Sequence, residues 1–200
     1  MNKDIYLKAI KALEKGRIIV CPTDTLYGIA ADVFNKESVE LIYKIKKRPY
    51  TIPLPVAVSS IEDAKKISYI DDKKEDFMKH FLPGPLTVIL KKKDNIPDIV
   101  TSGLDKVAIR IPDNKITIKI LKEFGPLAVT SANIHGEKTP FLINDVKMQF
   151  TKSDIDLYVD DGRLDGNPST IVDISKDRPL ILRSGSIKES DIMDALVNER

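Results

Sequence analysis

Apolar positions along the chain switch repeatedly between a helical and a strand period, and that switching predicts the class of fold. Ile5, Ala9, Ala12 and Leu13 follow helical spacing, and Gly16 stands where a helix stop belongs. The run Ile18-Ile19-Val20-Cys21 reads as a short buried strand ended by Pro22. Asn35 is placed to cap a second helix that turns Val39, Ile42 and Ile45 inward. Pro49 disfavours helical geometry at Arg48, so this helix should end near Lys47. Residues 54–58 read as the next strand, and residues 60–67 and 72–82 as helices. Pro83-Gly84-Pro85 breaks the chain, and residues 86–90 and 107–111 are β-branched strands. A helix over 116–124, closed by Gly125-Pro126, leads into a buried strand over 127–130. Residues 143–150 and 190–197 are expected to be helical, and 157–159, 170–174 and 180–183 to be short strands. Interleaving of this kind predicts an α/β fold, a twisted mixed sheet with flanking helices. No internal repeat or linker interrupts the pattern, so one domain is expected over 1–200, with a core of about 3–187.

Composition narrows the chemistry. A chain of 200 residues buries roughly 70% of its unfolded surface, enough for a core without staples. Lys+Arg is 32 and Asp+Glu is 30, a net charge of +2, which excludes a binder driven by overall charge but leaves room for a local basic patch. A single cysteine excludes an internal disulfide and a cysteine zinc site. His80 and His135 are far apart in sequence, so no histidine metal site is expected and no protein metal ligand is assigned. A carboxylate-held magnesium stays compatible with the composition. The start of the chain lacks a signal-like apolar run, and no stretch reaches the length of a membrane span. The expected compartment is the cytoplasm, with no membrane partner.

The usual glycine-rich phosphate loops are missing, as are the serine-hydrolase elbow and the zinc-protease helix motif. Five other segments offer chemistry, each with a plainer reading beside it. Pro22-Thr23-Asp24-Thr25-Leu26-Tyr27-Gly28 follows a strand, where α/β proteins place ligands, but it is also ordinary turn chemistry. Lys44-Ile45-Lys46-Lys47-Arg48-Pro49 complements a helix C-terminus. If the chain becomes extended there, Lys46 and Arg48 point to one side and suit a di- or triphosphate. Thr130-Ser131-Ala132-Asn133 suits a sugar, a base or an amino acid, and equally a cap or an Asx-turn. Pro168-Ser169-Thr170-Ile171-Val172-Asp173 and Leu182-Arg183-Ser184-Gly185 complete the set. Arg110, inside the apolar run Val107-Ala108-Ile109, needs either an acidic partner or a ligand.

In this order, together with Gly84-Pro85-Leu86-Thr87, these motifs resemble the YrdC-like threonylcarbamoyl-AMP synthases over nearly the whole chain. The resemblance implies a single-domain α/β fold with a concave basic face, and no second C-terminal domain. It implies a nucleotidyltransferase that joins L-threonine, bicarbonate and ATP into threonylcarbamoyl-AMP and pyrophosphate. Magnesium would travel with ATP. A downstream tRNA-modifying transferase complex would use the product to make threonylcarbamoyladenosine next to the anticodon. By the same resemblance, Lys46 and Arg48 would grip phosphates, helped by Lys106, Asn133 and Arg183 at the ATP site. Thr23, Thr25, Arg110, Ser131 and Ser169 would hold threonine, and Lys46, Arg48, Ser131 and Asn133 would form the catalytic group. Lys46, Arg48, Lys106, Arg110 and Arg183 would converge on the concave face, with acidic residues elsewhere. Ile52, Glu137 and Phe141 depart from the family pattern at positions that are often polar or basic. Two alternatives remain in view. One is a carbamoyl-adenylate-forming domain like that of hydrogenase maturation proteins. The other is a module that binds double-stranded RNA or tRNA without catalysis, for which the low aromatic content of 6% offers little stacking.

Overall fold

The computed structural model describes residues 3–151, 155–176 and 178–198. Helix α1 (Lys3–Glu14) ends in a turn through Gly16 at φ 67, a left-handed conformation that glycine adopts without a Cβ clash. Strand β1 (Ile18–Cys21) follows and pairs antiparallel with β2 (Gly28–Asp32). The apolar pattern does not announce β2, because Gly-Ile-Ala-Ala-Asp carries one β-branched residue. Its small start has a packing reason: a Cβ on Gly28 would lie 2.8 Å from Val129 Cγ1.

Helix α2 (Lys36–Lys46) begins as the sequence predicts, with the Asn35 side chain accepting the Ser38 N–H. Next come β3 (Val56–Ala57), α3 (Ile61–Ile67), α4 (Asp72–Phe81) and β4 (Leu86–Lys91). The strand expected over 54–58 contracts to two residues. Leu54 N–H goes instead to Val100 O, and Val58 N–H to Arg110 O. A one-turn helix α5 (Asp98–Thr101), too short to show a period, precedes β5 (Lys106–Arg110). The remainder is α6 (Lys115–Phe124), β6 (Leu127–Ser131), α7 (Ile143–Gln149), β7 (Ile155–Tyr158), β8 (Thr170–Asp173), β9 (Leu180–Arg183) and α8 (Glu189–Asn198).

Among the described residues the strands form one mixed sheet of nine in the order β7-β1-β2-β6-β3-β5-β4-β8-β9. Neighbours β1/β7, β3/β5 and β4/β8 are parallel and the other pairs antiparallel. One face buries Val20, Ile29, Val56, Val88, Ile109 and Val172 against α2, α3, α4 and α8. On the other face, α1 and α6 bring Ala9, Leu13, Ile120 and Leu121 onto Ile19, Cys21, Ala30, Ala57 and Leu127. Among the described residues that second cover reaches only the β7-β1-β2-β6-β3 half. Across β5, β4 and β8 on the same side, Ala108, Arg110, Ile89, Ile171 and Asp173 stay part-exposed, while Thr87 is buried. No helix among the described residues is long and apolar enough to cross a membrane.

Candidate functional site

Register fixes which residues share the open half-face. Ala57 lies opposite both Leu127 and Arg110. β6 and β3 are antiparallel and β3 and β5 parallel, so β5 starts at Lys106 towards the Ser131 end and finishes at Arg110 towards the Leu127 end. Val88 pairs with Ile109, Thr87 with Ile171, and Ile171 with Arg183. Arg110, Thr87, Ile171 and Arg183 therefore form one row across the open face. A second row holds Ala108, Ile89 and Asp173, an apolar floor with one acid. Lys106 and Lys91 make the third. At about 3.3 Å per residue, Lys106 stands about 13 Å along the strand from Arg110.

Arg110 is the best-defined side chain of this face. Its guanidinium donates from Nη2 to Asp24 Oδ1 at 2.7 Å, from Nη1 to Thr25 Oγ1 at 2.9 Å and from Nε to Gly84 O at 3.2 Å. A guanidinium has five N–H donors. These bonds use three, which leaves one N–H on each terminal nitrogen, the fork that fits a carboxylate. The apolar strand thus carries its charge through an acid, and two donors remain for a ligand. Thr25 Oγ1 also meets Thr23 Oγ1 at 2.9 Å, and Thr23 Oγ1 donates to Leu26 O, so the 22–27 turn is held by its own hydroxyls. At the other end of the row, Arg183 donates to Ser169 O from Nε at 3.1 Å and from Nη2 at 2.8 Å. The Ser169 hydroxyl meets Thr87 Oγ1 at 2.8 Å. Burial, and then the charge of Arg110, lower the Arg183 pKa.

Lys46 forms the core of a second group. Its Nζ donates to the carbonyls of Ser131 and Asn133, and the side chain is 1% exposed. Burial, and then the charge of Arg48, lower its pKa from the ordinary 10.5 to about 7. A neutral amine keeps two N–H groups, one for each carbonyl, so the anchor survives loss of the proton. Asn133 spends its amide on its own loop. Nδ2 donates to Ile134 O and Glu137 O at 2.8 Å each, and Oδ1 accepts from Ser131 Oγ and Thr139 Oγ1. Arg48 donates from Nε to Ile52 O at 3.1 Å and from Nη2 to Pro53 O at 2.8 Å. The residue at 52 thus takes part through its carbonyl, which an isoleucine supplies as well as a polar residue.

Two expectations need correction. Lys46 and Arg48 are not alternate residues of an extended segment. Lys46 closes α2, and Lys47 is left-handed at φ 52, with its N–H on Lys44 O and Tyr43 O. The helix cap, not a strand pleat, brings the two cations together. Nor are the acids elsewhere. Lys106 Nζ lies 2.8 Å from Asp173 Oδ2, and Arg110 is paired with Asp24, so two of the five expected cations meet carboxylates. The turn that starts β2 joins the two groups. Gly28 pairs with Ser131, Ala132 N–H donates to Tyr27 O, and Thr25 reaches Arg110. A separate groove of about 480 Å³ between α3, α4 and α6 contains none of the expected site residues.

Residues 11–185 match the Sua5/YciO/YrdC family model, described as "Telomere recombination". The chain belongs to this family. A Methanocaldococcus jannaschii protein provisionally named threonylcarbamoyl-AMP synthase is 38% identical over 192 residues, covering 94% of this chain and 90% of that protein. The threonylcarbamoyl-AMP synthase of Pyrococcus abyssi is 33% identical over 183 residues, covering 90% of this chain and 54% of that protein. The crystal structure of P. abyssi Sua5 complexed with L-threonine is similar at a TM-score of 0.89 and 32% identity, over 96% of this chain and 56% of that one. The chain therefore spans about half the length of the Pyrococcus relative and nine-tenths of the Methanocaldococcus one.

In this Sua5/YciO/YrdC member, Asp24 and Thr87 also belong to the site, and both stand inside the motifs quoted above without being among the expected site residues. The signal for Asp24 is Arg110, a cation next to the apolar run Val107-Ala108-Ile109, which demands an acidic partner or a ligand. The pairing of Thr87 with Ser169 had no local signal, since it depends on β4 lying beside β8. Tyr27 is a further residue outside the expected set. Its hydroxyl donates to Gly162 O at 2.6 Å and accepts from Asp161 N at 3.0 Å, which fixes the 160–166 loop over the turn. A Cβ on Gly166 would lie 2.5 Å from Thr25 Cα, so only glycine allows that approach.

Proposed function

We propose that this protein is a threonylcarbamoyl-AMP synthase. It takes L-threonine, bicarbonate and ATP to threonylcarbamoyl-AMP, pyrophosphate and water, the product being the one that the names of its relatives give for them. The observation that carries the reading is Arg110, held by Asp24, Thr25 and Gly84 with one N–H left on each terminal nitrogen. That fork binds the threonine carboxylate, and Thr23, Thr25, Ser131 and Ser169 surround the rest of the amino acid. The amine combines with bicarbonate to give a carbamate, with loss of water. A carbamate oxygen attacks the α-phosphorus of ATP, and pyrophosphate leaves with the electron pair of the broken bond. Such a nucleotidyl transfer depends on positioning and on cations placed against developing charge, and needs no covalent nucleophile. Arg48 faces the phosphates, Lys46 acts from behind it by holding the Ser131 and Asn133 carbonyls, Asn133 shapes the loop beside them, and Lys106 and Arg183 take the outer nucleotide contacts.

Among the described residues no three of His, Cys, Asp and Glu converge as metal ligands. Magnesium in this reading enters with ATP and is held by its phosphate oxygens. The catalytic unit is one α/β domain, and its product passes to a transferase complex that modifies tRNA next to the anticodon. The test is pyrophosphate release from ATP in the presence of magnesium and bicarbonate. Release that depends on threonine supports the reading. ATP binding without threonine-dependent release sinks it.

A further inference from the structure

The partner that neutralises Arg110 does more than steady it. Asp24 lies between the two threonines of the 22–27 turn, and its side chain is as buried as that of Arg110, each 14% exposed. One carboxylate oxygen, Oδ1, accepts both Arg110 Nη2 at 2.7 Å and Asp113 N–H at 3.0 Å. The other, Oδ2, is buried and accepts no hydrogen bond among the described residues. A buried carboxylate oxygen without a donor is costly, and such exceptions call for an explanation.

The charge arithmetic supplies one. Arg110 and Asp24 together are neutral. A ligand that offers only a carboxylate to the free N–H fork brings a negative charge beside an acid oxygen that already lacks a donor, with Arg183 at the far end of the row to offset it only in part. In a part-buried site that repulsion is weakly screened. A zwitterion brings the same carboxylate with an ammonium on the adjacent carbon, and so adds no net charge.

Resting on the synthase reading, we infer that Asp24 is a specificity-determining residue, which makes the Arg110 pocket accept a zwitterionic amino acid and reject the corresponding hydroxy acid. Without Asp24, the guanidinium fork is a general carboxylate site. With Asp24, the fork discriminates at the α-substituent, the position that must be an amine for a carbamate to form.

The test is calorimetric titration of the full chain with L-threonine and with its hydroxy-acid analogue, in which a hydroxyl replaces the amine. Wild-type protein is expected to favour threonine by at least about thirtyfold, the scale on which sites built around a polar group reject analogues that lack it. In Asp24→Asn the gap should shrink to within about threefold, mainly because the hydroxy acid binds more tightly once the acid is gone. Asp24→Glu, which keeps the charge, should preserve the gap. An unchanged gap in Asp24→Asn, or equal affinities in the wild type, overturns the role of Asp24. Should Asp24→Asn fail to fold, the wild-type ratio and the Glu variant still decide. Wild-type protein that binds no threonine defeats the synthase reading itself, whereas normal threonine binding with an unchanged gap defeats only this inference.

Discussion

The two halves of one sheet face have the same backbone architecture and opposite chemistry. Over β7-β1-β2-β6-β3, helices α1 and α6 cover Ile19, Cys21, Ala30 and Leu127, each fully buried. Over β5-β4-β8-β9 the same face carries Arg110, Thr87, Arg183, Lys106 and Asp173 around a small floor of Ala108 and Ile89. The first half illustrates how the sheet is stabilised, and the second how a site is left open. The 22–27 turn leaves the covered half and crosses to Arg110, so packing on one side fixes geometry on the other.

Arg110→Ala should break this division most severely, because it strands Asp24 as a part-buried unpaired acid. Loss of one partner of a buried pair costs about 3–5 kcal/mol of stability. Adding Asp24→Asn should recover most of that stability without recovering threonine use. Denaturant midpoints and threonine-dependent pyrophosphate release, measured on both variants, check the two halves of the statement. Recovery of activity by the double variant would show that Arg110 only balances charge.

The covered half is probed by Ile120→Ala, expected to cost about 2–5 kcal/mol as a large-to-small change in a closed core. Ile171→Ala, on the open half, should cost only about 1 kcal/mol, because that side chain is part-exposed in the native state. Equal costs in a denaturation series would mean that the open half is closed by contacts like those of the covered one.

Lys46 gives an effect of pH alone, with a defined sign. Folding lowers its pKa from 10.5 to about 7, so between those values the unfolded chain holds a proton that the folded chain has released. Stability linked to Lys46 therefore rises with pH across that window. Lys46→Met should flatten the rise in the urea midpoint between neutral and alkaline pH, whatever its absolute stability. Matching slopes for the two proteins would place the Lys46 pKa near its ordinary value.

Much of the fold was legible because long elements carry their own period and caps. Asn35 capping α2 and the amphipathic run of α6 are local facts. Strand β2 and helix α5 were hidden for a physical reason. The small residues of β2 reflect what packs against them, Val129 above all, and one helical turn has no period to read. Within the candidate site the residue types were visible and their partners were not. That Arg110 meets Asp24, that Lys106 meets Asp173, and that Lys46 holds the 131–133 backbone all follow from strand order and from a left-handed cap at Lys47, features no local window contains.

The central claim, that the open half-face forms an acyl-adenylate from three small substrates, is tested most directly by following carbon. The full chain would be incubated with ATP, magnesium, L-threonine and isotopically labelled bicarbonate, and the products separated by mass. The account predicts threonylcarbamoyl-AMP with the label in its carbamoyl carbon, formed in step with pyrophosphate and lost in Arg110→Ala/Asp24→Asn. ATP turnover that leaves no label in any adduct of threonine and AMP would contradict it.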